Sequence, residues 1–257
     1  MQIWAVANQK GGVGKTTTTL ALGARLAADG ARVLLIDLDP HASLTRCFGL
    51  PTDPPPVGSA QLFDDPPQPL RELVHHSEYE RLDLVPGQAA LAVMEKRSAT
   101  RPGLGLAVKT ALASMQDEYD YALLDCPPTL GVLMVNALAA ADRLIIPTQT
   151  DPLALHGLDG MVRTAAMIER SRGGPLPVFI LPTLHDRRTR AGAETLTQMQ
   201  AHHGKKVWDD VIPLDTRLRD AALVLSAPPV DRGGKGLAAY ASALQWLLQH
   251  ERQQVAA

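Results

Sequence analysis

The chain has 257 residues, of which 46% are hydrophobic, and this is enough for one large buried core. Its formal net charge of -2 at pH 7 excludes binding to nucleic acid or membrane through global charge, so either would need a local basic patch. The chain holds two cysteines and no run of about 18 apolar residues, which excludes a disulfide framework and an apolar transmembrane helix.

Near its start the chain carries a glycine-rich segment between a strand pattern and a helix pattern. Residues 3–7 are apolar and predict a strand, and residues 18–28 favour a helix. A strand that feeds a glycine-rich turn at the start of a helix directs backbone N–H groups at one point, which suits a polyphosphate. Lys15 would then reach the β- and γ-phosphates, and the Thr16 hydroxyl would bind Mg²⁺. The segment reads Gln9, Lys10, Gly11, Gly12, Val13, Gly14, Lys15, Thr16, Thr17.

Two positions depart from the usual phosphate loop. That pattern has a glycine where this chain has Gln9, and an additional lysine, Lys10, precedes Gly11. Residues 10–16 resemble the deviant Walker A motif of the ParA/MinD family of partitioning and positioning ATPases. The resemblance implies an ATP-bound homodimer in which Lys10 crosses to the phosphates held by the partner chain. A cation delivered in trans neutralises transition-state charge only after two subunits close, which would couple dimerisation to hydrolysis.

The second strand pattern ends in acidic residues. Residues 32–37 form an apolar run without alternation, which predicts a strand covered on both faces of a parallel sheet. Asp37 and Asp39 follow at its carboxyl end, the edge where open α/β sheets bind ligands. Asp39 matches the second acid of the family's switch I motif, and the resemblance implies that it positions Mg²⁺ and the attacking water. Asp37 would be its structural or metal-shell neighbour.

His41 stands where ParA relatives commonly carry glutamine. A histidine could make switch I sensitive to pH, or it could be a simple polar substitution.

Residues 49–70 are dense in proline, which predicts an irregular surface excursion. That excursion is either a tolerated insertion or a binding segment.

Strand and helix patterns alternate along the rest of the chain. This alternation predicts an α/β fold with a doubly wound, mostly parallel sheet and helices on both faces, in one domain spanning residues 1–257. The resemblance implies the same P-loop NTPase architecture. The predicted strands are 82–86, 121–125, 143–147 and 178–182, with a short edge at about 207–213. The predicted helices are 88–96, 104–115, 131–140, 153–170, 190–203, 217–225 and 236–252.

Asp125 closes the strand at 121–125 and is the expected Walker B residue, which holds Mg²⁺ through water; the alternative is an ordinary aspartate in a turn. The segment from Cys126 to Gly131 resembles the family's switch II, which two prolines stiffen. Cys126 is expected to pack in the core. A related fold, the nitrogenase iron protein, bridges an iron–sulfur cluster with cysteines, but a cysteine beside the Walker B acid is badly placed for that.

The resemblance also places the segment after the last short strand against the adenine. Pro213 would pack on the ring, and Leu214 or Asp215 would meet its polar edge. A plain turn is the alternative for this segment.

The family offers two binding surfaces, DNA for ParA proteins and membrane for MinD proteins. Residues 237–248 have apolar side chains at helical spacing without lysine or arginine, so the final helix is expected to pack on the domain and not on a membrane. Acidic residues near the candidate arginines reduce the positive charge of this region, so the alternative to DNA binding is that the arginines belong to an ordinary solvated surface. The candidates for phosphate contacts are Arg187, Arg188, Arg190, Arg217 and Arg219.

These features together predict a Mg-dependent ParA-type ATPase that cycles between an ADP-bound or free monomer and an ATP dimer. The dimer would bind DNA without sequence preference and position a cargo such as a plasmid, a chromosome or a protein array. A ParB-like or other protein would stimulate its slow hydrolysis. We expect a cytoplasmic, nucleoid-associated protein that does not bind membrane. The alternatives are a MinD-like membrane-positioning ATPase and an ATP-dependent metabolic ligase or kinase of the same superfamily.

Overall fold

The computed structural model describes residues 1–97, 104–228 and 232–255, and the side chains of these residues except 97 and 251–255. The strands in these ranges are β1 Gln2–Val6, β2 Val33–Asp37, β3 His75–His76, β4 Leu82–Val85, β5 Tyr121–Asp125, β6 Arg143–Gln149 and β7 Val178–Thr183. These seven strands form one sheet in the order β3-β4-β2-β5-β1-β6-β7. All neighbouring strands in it are parallel except β3, which runs antiparallel to β4.

Helices cover both faces of the sheet, as predicted. The long helices are α1 Lys15–Ala28, α6 Val132–Ala140, α7 Pro152–Arg172, α8 Arg190–His203 and α10 Gly234–Val255. The shorter helices are α2 Ser43–Cys47, α3 Leu70–Leu73, α4 Leu91–Arg97, α5 Ala107–Ala113 and α9 Ala221–Leu225. Successive strand residues point to opposite faces, so Ala5 and Ile36 pack with α5, α6 and α7, whereas Trp4 and Leu35 pack with α1, α9 and α10.

The strand pairing brings three chain segments to one edge. Val6 and Asp37 both pair with Asp125, so β1, β2 and β5 end side by side. The phosphate loop follows β1, and two acids stand at the ends of β2 and β5. This is the carboxyl edge at which open α/β sheets bind ligands.

Several predicted boundaries were wrong because tertiary contacts set them. The edge at 207–213 is not a strand but two isolated bridges, Ile180 to Val207 and His185 to Pro213. The helix predicted at 217–225 is a 3₁₀ turn, Thr216–Arg219, followed by α9. Asp220 separates the two because its Oδ1 accepts a hydrogen bond from Leu223 N at 3.1 Å and caps α9.

Other boundaries shift by a few residues. The first helix begins at Lys15 and not at residue 18, because the phosphate loop turns directly into it. The helix predicted at 88–96 begins at Leu91, and the one predicted at 104–115 is a 3₁₀ turn, Leu104–Leu106, followed by α5. The antiparallel edge strand β3 was not predicted.

The proline-rich excursion is only partly on the surface. Residues 51–55 are exposed, but a 3₁₀ turn, Ser59–Phe63, buries Leu62 and Phe63 in the core. Ser59 Oγ donates a hydrogen bond to the carbonyl O of Asp37 at 2.6 Å. The middle of this segment therefore supports the strand end that leads into switch I.

The apolar face of α10 packs on the domain, as the sequence predicted. Leu244 and Leu247 are fully buried beside α1, and Tyr240 OH lies 2.9 Å from Thr18 Oγ1 in a buried hydrogen bond. Arg143 Nη1 donates to the carbonyl O of Leu247 at 2.8 Å. In the described part of the chain, no helix combines the length and apolar composition needed to cross a bilayer.

Gly87 fits closely beneath switch I and gives a test of this packing. A Cβ added there would stand 2.6 Å from Asp37 Cγ, and Thr45 holds that carboxylate in place. We expect Gly87→Ala to lower the free energy of unfolding by about 1–3 kcal/mol, measured by urea denaturation. Gly174→Ala is the matched control, since no heavy atom lies within 4 Å of its added Cβ. Equal stabilities of the two variants would contradict the packing.

Candidate nucleotide site

The phosphate loop lies between β1 and α1, where the sequence placed it. It leaves β1 after Val6 and enters α1 at Lys15. Gly12 and Gly14 have φ values of 73° and 92°, a left-handed region that other residues rarely adopt. No heavy atom lies within 4 Å of a Cβ added at either glycine, so this backbone faces open space. The loop can therefore bring backbone N–H groups at a helix start to a phosphate.

Lys15 folds back over the loop. Its Nζ donates a hydrogen bond to the carbonyl O of Lys10 at 3.1 Å, and the residue is only 8% exposed. Burial lowers the pKa of Lys15 from its usual value, and the carboxylates of Asp125 and Asp39 oppose this shift. The ammonium group is thus held where a phosphate entering the loop would meet it.

Thr16 and Asp125 form the candidate metal-binding pair. Thr16 Oγ1 donates to Asp125 Oδ2 at 2.7 Å, and Thr19 Oγ1 donates to the other carboxylate oxygen at 3.4 Å. Burial raises the pKa of Asp125 well above its ordinary value, and the nearby Asp37 raises it further, while the Thr16 hydrogen bond opposes both. Crowded carboxylates favour a divalent cation, and carboxylate oxygens are ligands that Mg²⁺ prefers. The residues present therefore fit a magnesium ion.

Both carboxylate oxygens of Asp37 accept hydrogen bonds from neighbouring residues. Its Oδ2 accepts hydrogen bonds from Thr45 N at 2.9 Å and Thr45 Oγ1 at 2.7 Å, and its Oδ1 accepts from Asp39 N at 3.1 Å. Burial raises the pKa of Asp37 to about 6. Of the two roles that the sequence left open for Asp37, these contacts favour the structural one.

Asp39 lines the cavity above the loop, and its side chain is 13% exposed. Its Oδ1 accepts a hydrogen bond from His41 N at 2.9 Å and lies 2.9 Å from His41 Nδ1. His41 thus contacts the predicted water-positioning acid directly, while most of its side chain is in solvent. Both interpretations of His41 remain predictions.

Cys126 is fully buried in the core, as predicted. Burial raises the pKa of its thiol, which disfavours the thiolate that an iron–sulfur cluster needs. Cys47 is half-buried on α2, and both cysteines are free. The site therefore gives no support to the redox alternative.

Lys10 lies at the rim of the loop and outside the lining of its cavity. Its backbone N donates to Asn8 Oδ1 at 3.1 Å, and Asn8 Nδ2 donates to the carbonyl O of Pro147 at 2.9 Å. Its Nζ forms an ion pair with Asp151 Oδ1 at 3.6 Å, with both side chains partly exposed. The backbone of Lys10 is thus fixed, while its partly exposed side chain ends on Asp151. Its role in trans stays a prediction.

A cavity of about 560 Å³ extends from the loop to the segment after the last bridge, and this volume is ordinary for a site that holds a small ligand. It joins the predicted phosphate-binding and adenine-binding segments. The predicted residues that line it are Gly11, Gly12, Gly14, Lys15, Thr16, Thr17, Asp39, Leu214, Asp215 and Arg219.

The adenine segment only partly meets this cavity. Pro213 does not line it but borders a smaller neighbouring cavity, together with Leu214 and Asp215. Asp215 also has a structural role, because its Oδ1 accepts from Arg217 N at 3.0 Å and its Oδ2 accepts from Gly236 N at 2.9 Å. The adenine contacts of all three residues stay predictions.

Some cavity residues were missed by sequence reasoning. Thr183 ends β7 and Leu184 follows it, and the rule that strand ends bind ligands could have found them. Thr183 Oγ1 donates to the carbonyl O of Val13 at 2.8 Å and holds that buried residue in the loop. Tyr240 lines the cavity from α10, far away in sequence, and no local signal marks it.

The structure brings the two arginine segments together. His185 N donates to the carbonyl O of Ile212 at 3.1 Å, and Leu214 N donates to the carbonyl O of His185 at 3.0 Å. Residues 186–190 and 215–219 therefore start from neighbouring points of the fold, and we call their five arginines together the arginine surface. It consists of Arg187, Arg188, Arg190, Arg217 and Arg219.

Acidic neighbours partly neutralise the arginine surface. Arg188 forms two hydrogen bonds with Asp186, at 2.9 and 2.7 Å, and Arg190 Nε donates to Glu194 at 2.6 Å. The guanidinium of Arg217 packs against the backbone of Gly234, since its Nη1 lies 2.8 Å from the point where a Cβ on that glycine would stand. Arg219 lines the nucleotide cavity instead of lying wholly on the outside.

Comparisons with known proteins agree with this geometry. Residues 1–175 match the model of the AAA domain family. The chain is 36% identical over 222 residues to the sporulation initiation inhibitor protein Soj of Bacillus subtilis, covering 86% of this chain and 87% of Soj. It is 37% identical over 233 residues to the chromosome partitioning protein ParA of Caulobacter vibrioides, covering 86% of this chain and 84% of that protein.

Solved structures show the same architecture. Cobyrinic acid a,c-diamide synthase from Mycobacterium smegmatis, bound to an ATP analogue and magnesium, has a TM-score of 0.84 and 33% identity over 98% of this chain and 96% of its own. Apo McdA from Cyanothece has a TM-score of 0.80 at 22% identity over 93% and 99% of the two chains, a likeness of fold alone. The predicted fold and resemblance are confirmed, and the chain belongs to the ParA/MinD family of P-loop ATPases.

Proposed function

We propose that this protein is a ParA-type ATPase that closes around ATP as a homodimer and is released by hydrolysis. One observation carries the proposal. Lys15, Thr16 and Asp39 face one cavity at the carboxyl edge of the sheet, while Lys10 stays outside its lining and pairs with the partly exposed Asp151. Each copy would thus hold the parts that bind a nucleotide and bring one further cation to a neighbour.

The nucleotide chemistry follows from the residues around the cavity. The loop and Lys15 would hold the phosphates of ATP or ADP, and Thr16 and Asp125 would hold Mg²⁺, with Asp125 acting through water. When bound, Mg²⁺ supplies charge neutralisation to the phosphate oxygens. Asp39 would orient the attacking water, because it lines the cavity and Asp37 and Asp125 do not.

Two exposed apolar residues support closure of two copies. Leu153 is 82% exposed at the start of α7, two residues after the Asp151 that pairs with Lys10. Leu130 in switch II is 49% exposed. Both follow strands at the carboxyl edge that carries the nucleotide site. Large apolar side chains at such an edge gain stability when a partner covers them.

Sizing in solution tests the dimer. With magnesium present, we expect a monomer with ADP and a dimer with ATP, and we expect Lys10→Ala to lose the dimer while it still binds nucleotide. Lys109→Ala, an exposed lysine on α5, is the control and should behave like the wild type. A wild-type protein that stays monomeric with saturating ATP would overturn the proposal.

The arginine surface would bind DNA without sequence preference. Each copy contributes one such surface, so an ATP dimer doubles the number of phosphate contacts and raises affinity without moving any arginine. The relatives Soj and ParA are described as proteins of sporulation control and chromosome partitioning, which is consistent with cargo positioned over a nucleoid. A ParB-like or other protein would stimulate hydrolysis and release the dimer.

Charge reversal tests DNA binding. Arg187→Glu with Arg190→Glu should lower the affinity of the ATP dimer for plasmid DNA by about tenfold or more at moderate salt, because phosphate contacts are lost. Arg219 is kept, since it lines the nucleotide cavity. The matched control reverses Arg163 and Arg170, two exposed arginines on α7. Electrophoretic mobility shifts measure the affinity, and an equal loss in both double variants would count against a specific surface.

A metabolic ligase is the second candidate, because the M. smegmatis synthase is 33% identical over nearly the whole chain. ATP turnover that responds to cobyrinic acid but not to DNA or protein partners would favour it. The MinD-like alternative needs a free apolar face on the final helix, and in this structure that face packs against α1.

A further inference from the structure

Gln9, which replaces the glycine of the usual phosphate loop, reaches out of the loop to α7. Its Nε2 donates a hydrogen bond to Thr164 Oγ1 at 3.1 Å, across 155 residues of sequence. The Thr164 hydroxyl donates its own proton to the carbonyl O of Gly160 at 3.0 Å, so it must accept from Gln9. Thr164 is 6% exposed, and Gln9 Oε1 lies beside Gly160, 3.4 Å from the point where an added Cβ would stand.

The next residue, Lys10, contacts the start of the same helix. Lys10 pairs with Asp151, the residue that caps the start of α7. Asp151 and Thr164 are separated by about 13 residues, or about 20 Å along the helix axis. The side chains of Gln9 and Lys10 therefore extend in opposite directions along α7. With Asn8 bonded to Lys10 N on the other side, the backbone at residue 10 is held from both sides.

We infer that Gln9 is a positioning residue that braces the loop against α7 through Thr164 and thereby sets where Lys10 stands at the rim. This inference rests on the proposed function, in which Lys10 reaches the phosphates bound by a second copy. The residues that hold a chain's own nucleotide, from Gly11 to Thr17, lie beyond the brace. Loss of the brace should therefore impair hydrolysis in the dimer more than nucleotide binding.

Thr164→Val tests this inference, because valine keeps the shape of threonine and removes the hydroxyl. We expect kcat for ATP to fall by about tenfold or more with KM within about twofold of the wild type, since small misplacements of a catalytic group are costly. Thr164→Ser keeps the hydroxyl and should restore kcat. The matched control is Thr197→Val, which removes the same kind of hydroxyl bond, from Thr197 Oγ1 to Ala193 O at 3.0 Å, on the exposed face of α8.

A double variant asks whether the brace acts through Lys10. If it does, Thr164→Val combined with Lys10→Ala should be no slower than Lys10→Ala alone. Additive losses, a wild-type kcat in Thr164→Val, or an equal loss in Thr197→Val would each overturn the inference while leaving the proposed function in place. A wild-type rate in Lys10→Ala would instead refute the role of Lys10, and the inference would fall with it.

Discussion

Lys15→Ala is expected to abolish nucleotide binding. Lys15 is buried above the loop with its Nζ on the carbonyl O of Lys10, and no other lysine side chain lines the cavity within the described residues. Loss of a largely buried cation that faces phosphate removes a charge-assisted contact and leaves negative charge without compensation. We expect affinity for an ATP analogue to fall by about 100-fold or more, measured by fluorescence titration.

The comparison with Lys10→Ala makes this result specific. Both variants lose one positive charge near the same loop, but Lys10 does not line its own cavity and pairs with Asp151. Lys10→Ala should therefore keep its affinity for nucleotide within about threefold, because exposed ion pairs contribute little. Equal losses in the two variants would mean that both lysines serve the same chain's nucleotide, and the assignment of Lys10 to a partner would be wrong.

Asp39→Ala is expected to give a dimer that binds ATP and does not turn it over. Asp39 lines the cavity, but the contacts that would hold the phosphates and the metal come from the loop, Thr16 and Asp125. Its removal should cost the orientation of the attacking water and leave binding intact. Water positioning and proton acceptance contribute about 10²–10⁴-fold to rate, so single-turnover hydrolysis should fall by about 100-fold or more.

Sizing of the same variant completes the test. Asp39→Ala should elute as a dimer with ATP and persist for longer than the wild type, because hydrolysis no longer releases it. Asp209→Ala, which removes an exposed acid remote from the loop in sequence, is the control and should behave like the wild type. Hydrolysis at the wild-type rate in Asp39→Ala would show that another group positions the water.

Local sequence patterns were sufficient for the main elements of the site. Strand, glycine-rich turn and helix follow one another within the first 28 residues, and their geometry depends on neighbours along the chain. The acids at positions 37 and 125 could be placed at one edge because apolar runs without alternation indicate parallel strands, whose ends coincide. The family motifs then assigned roles to Lys10, Lys15 and Asp39.

Contacts between distant segments could not be predicted in this way. Periodicity reports which face of an element is apolar, but not which element covers it. Gln9 donates a hydrogen bond to Thr164, and Asp215 accepts one from Gly236 N. Arg219 lines the nucleotide cavity. Each of these contacts joins segments that are distant in sequence, and no pattern within either segment predicts the contact. The burial of Leu62 and Phe63 within a proline-rich segment is of the same kind.

The sequence by itself determined the phosphate loop, the parallel sheet and the acids at its edge, because short-range order and hydrophobic pattern dictate them. Tertiary structure alone decided that Asp37 accepts hydrogen bonds from Thr45, that Lys10 pairs with Asp151 and that Arg219 lines the nucleotide cavity. The physical reason is that these properties depend on how helices, strands and loops pack against one another. A single hydrogen bond or a missing Cβ can favour one packing over another, and local propensity does not distinguish between them.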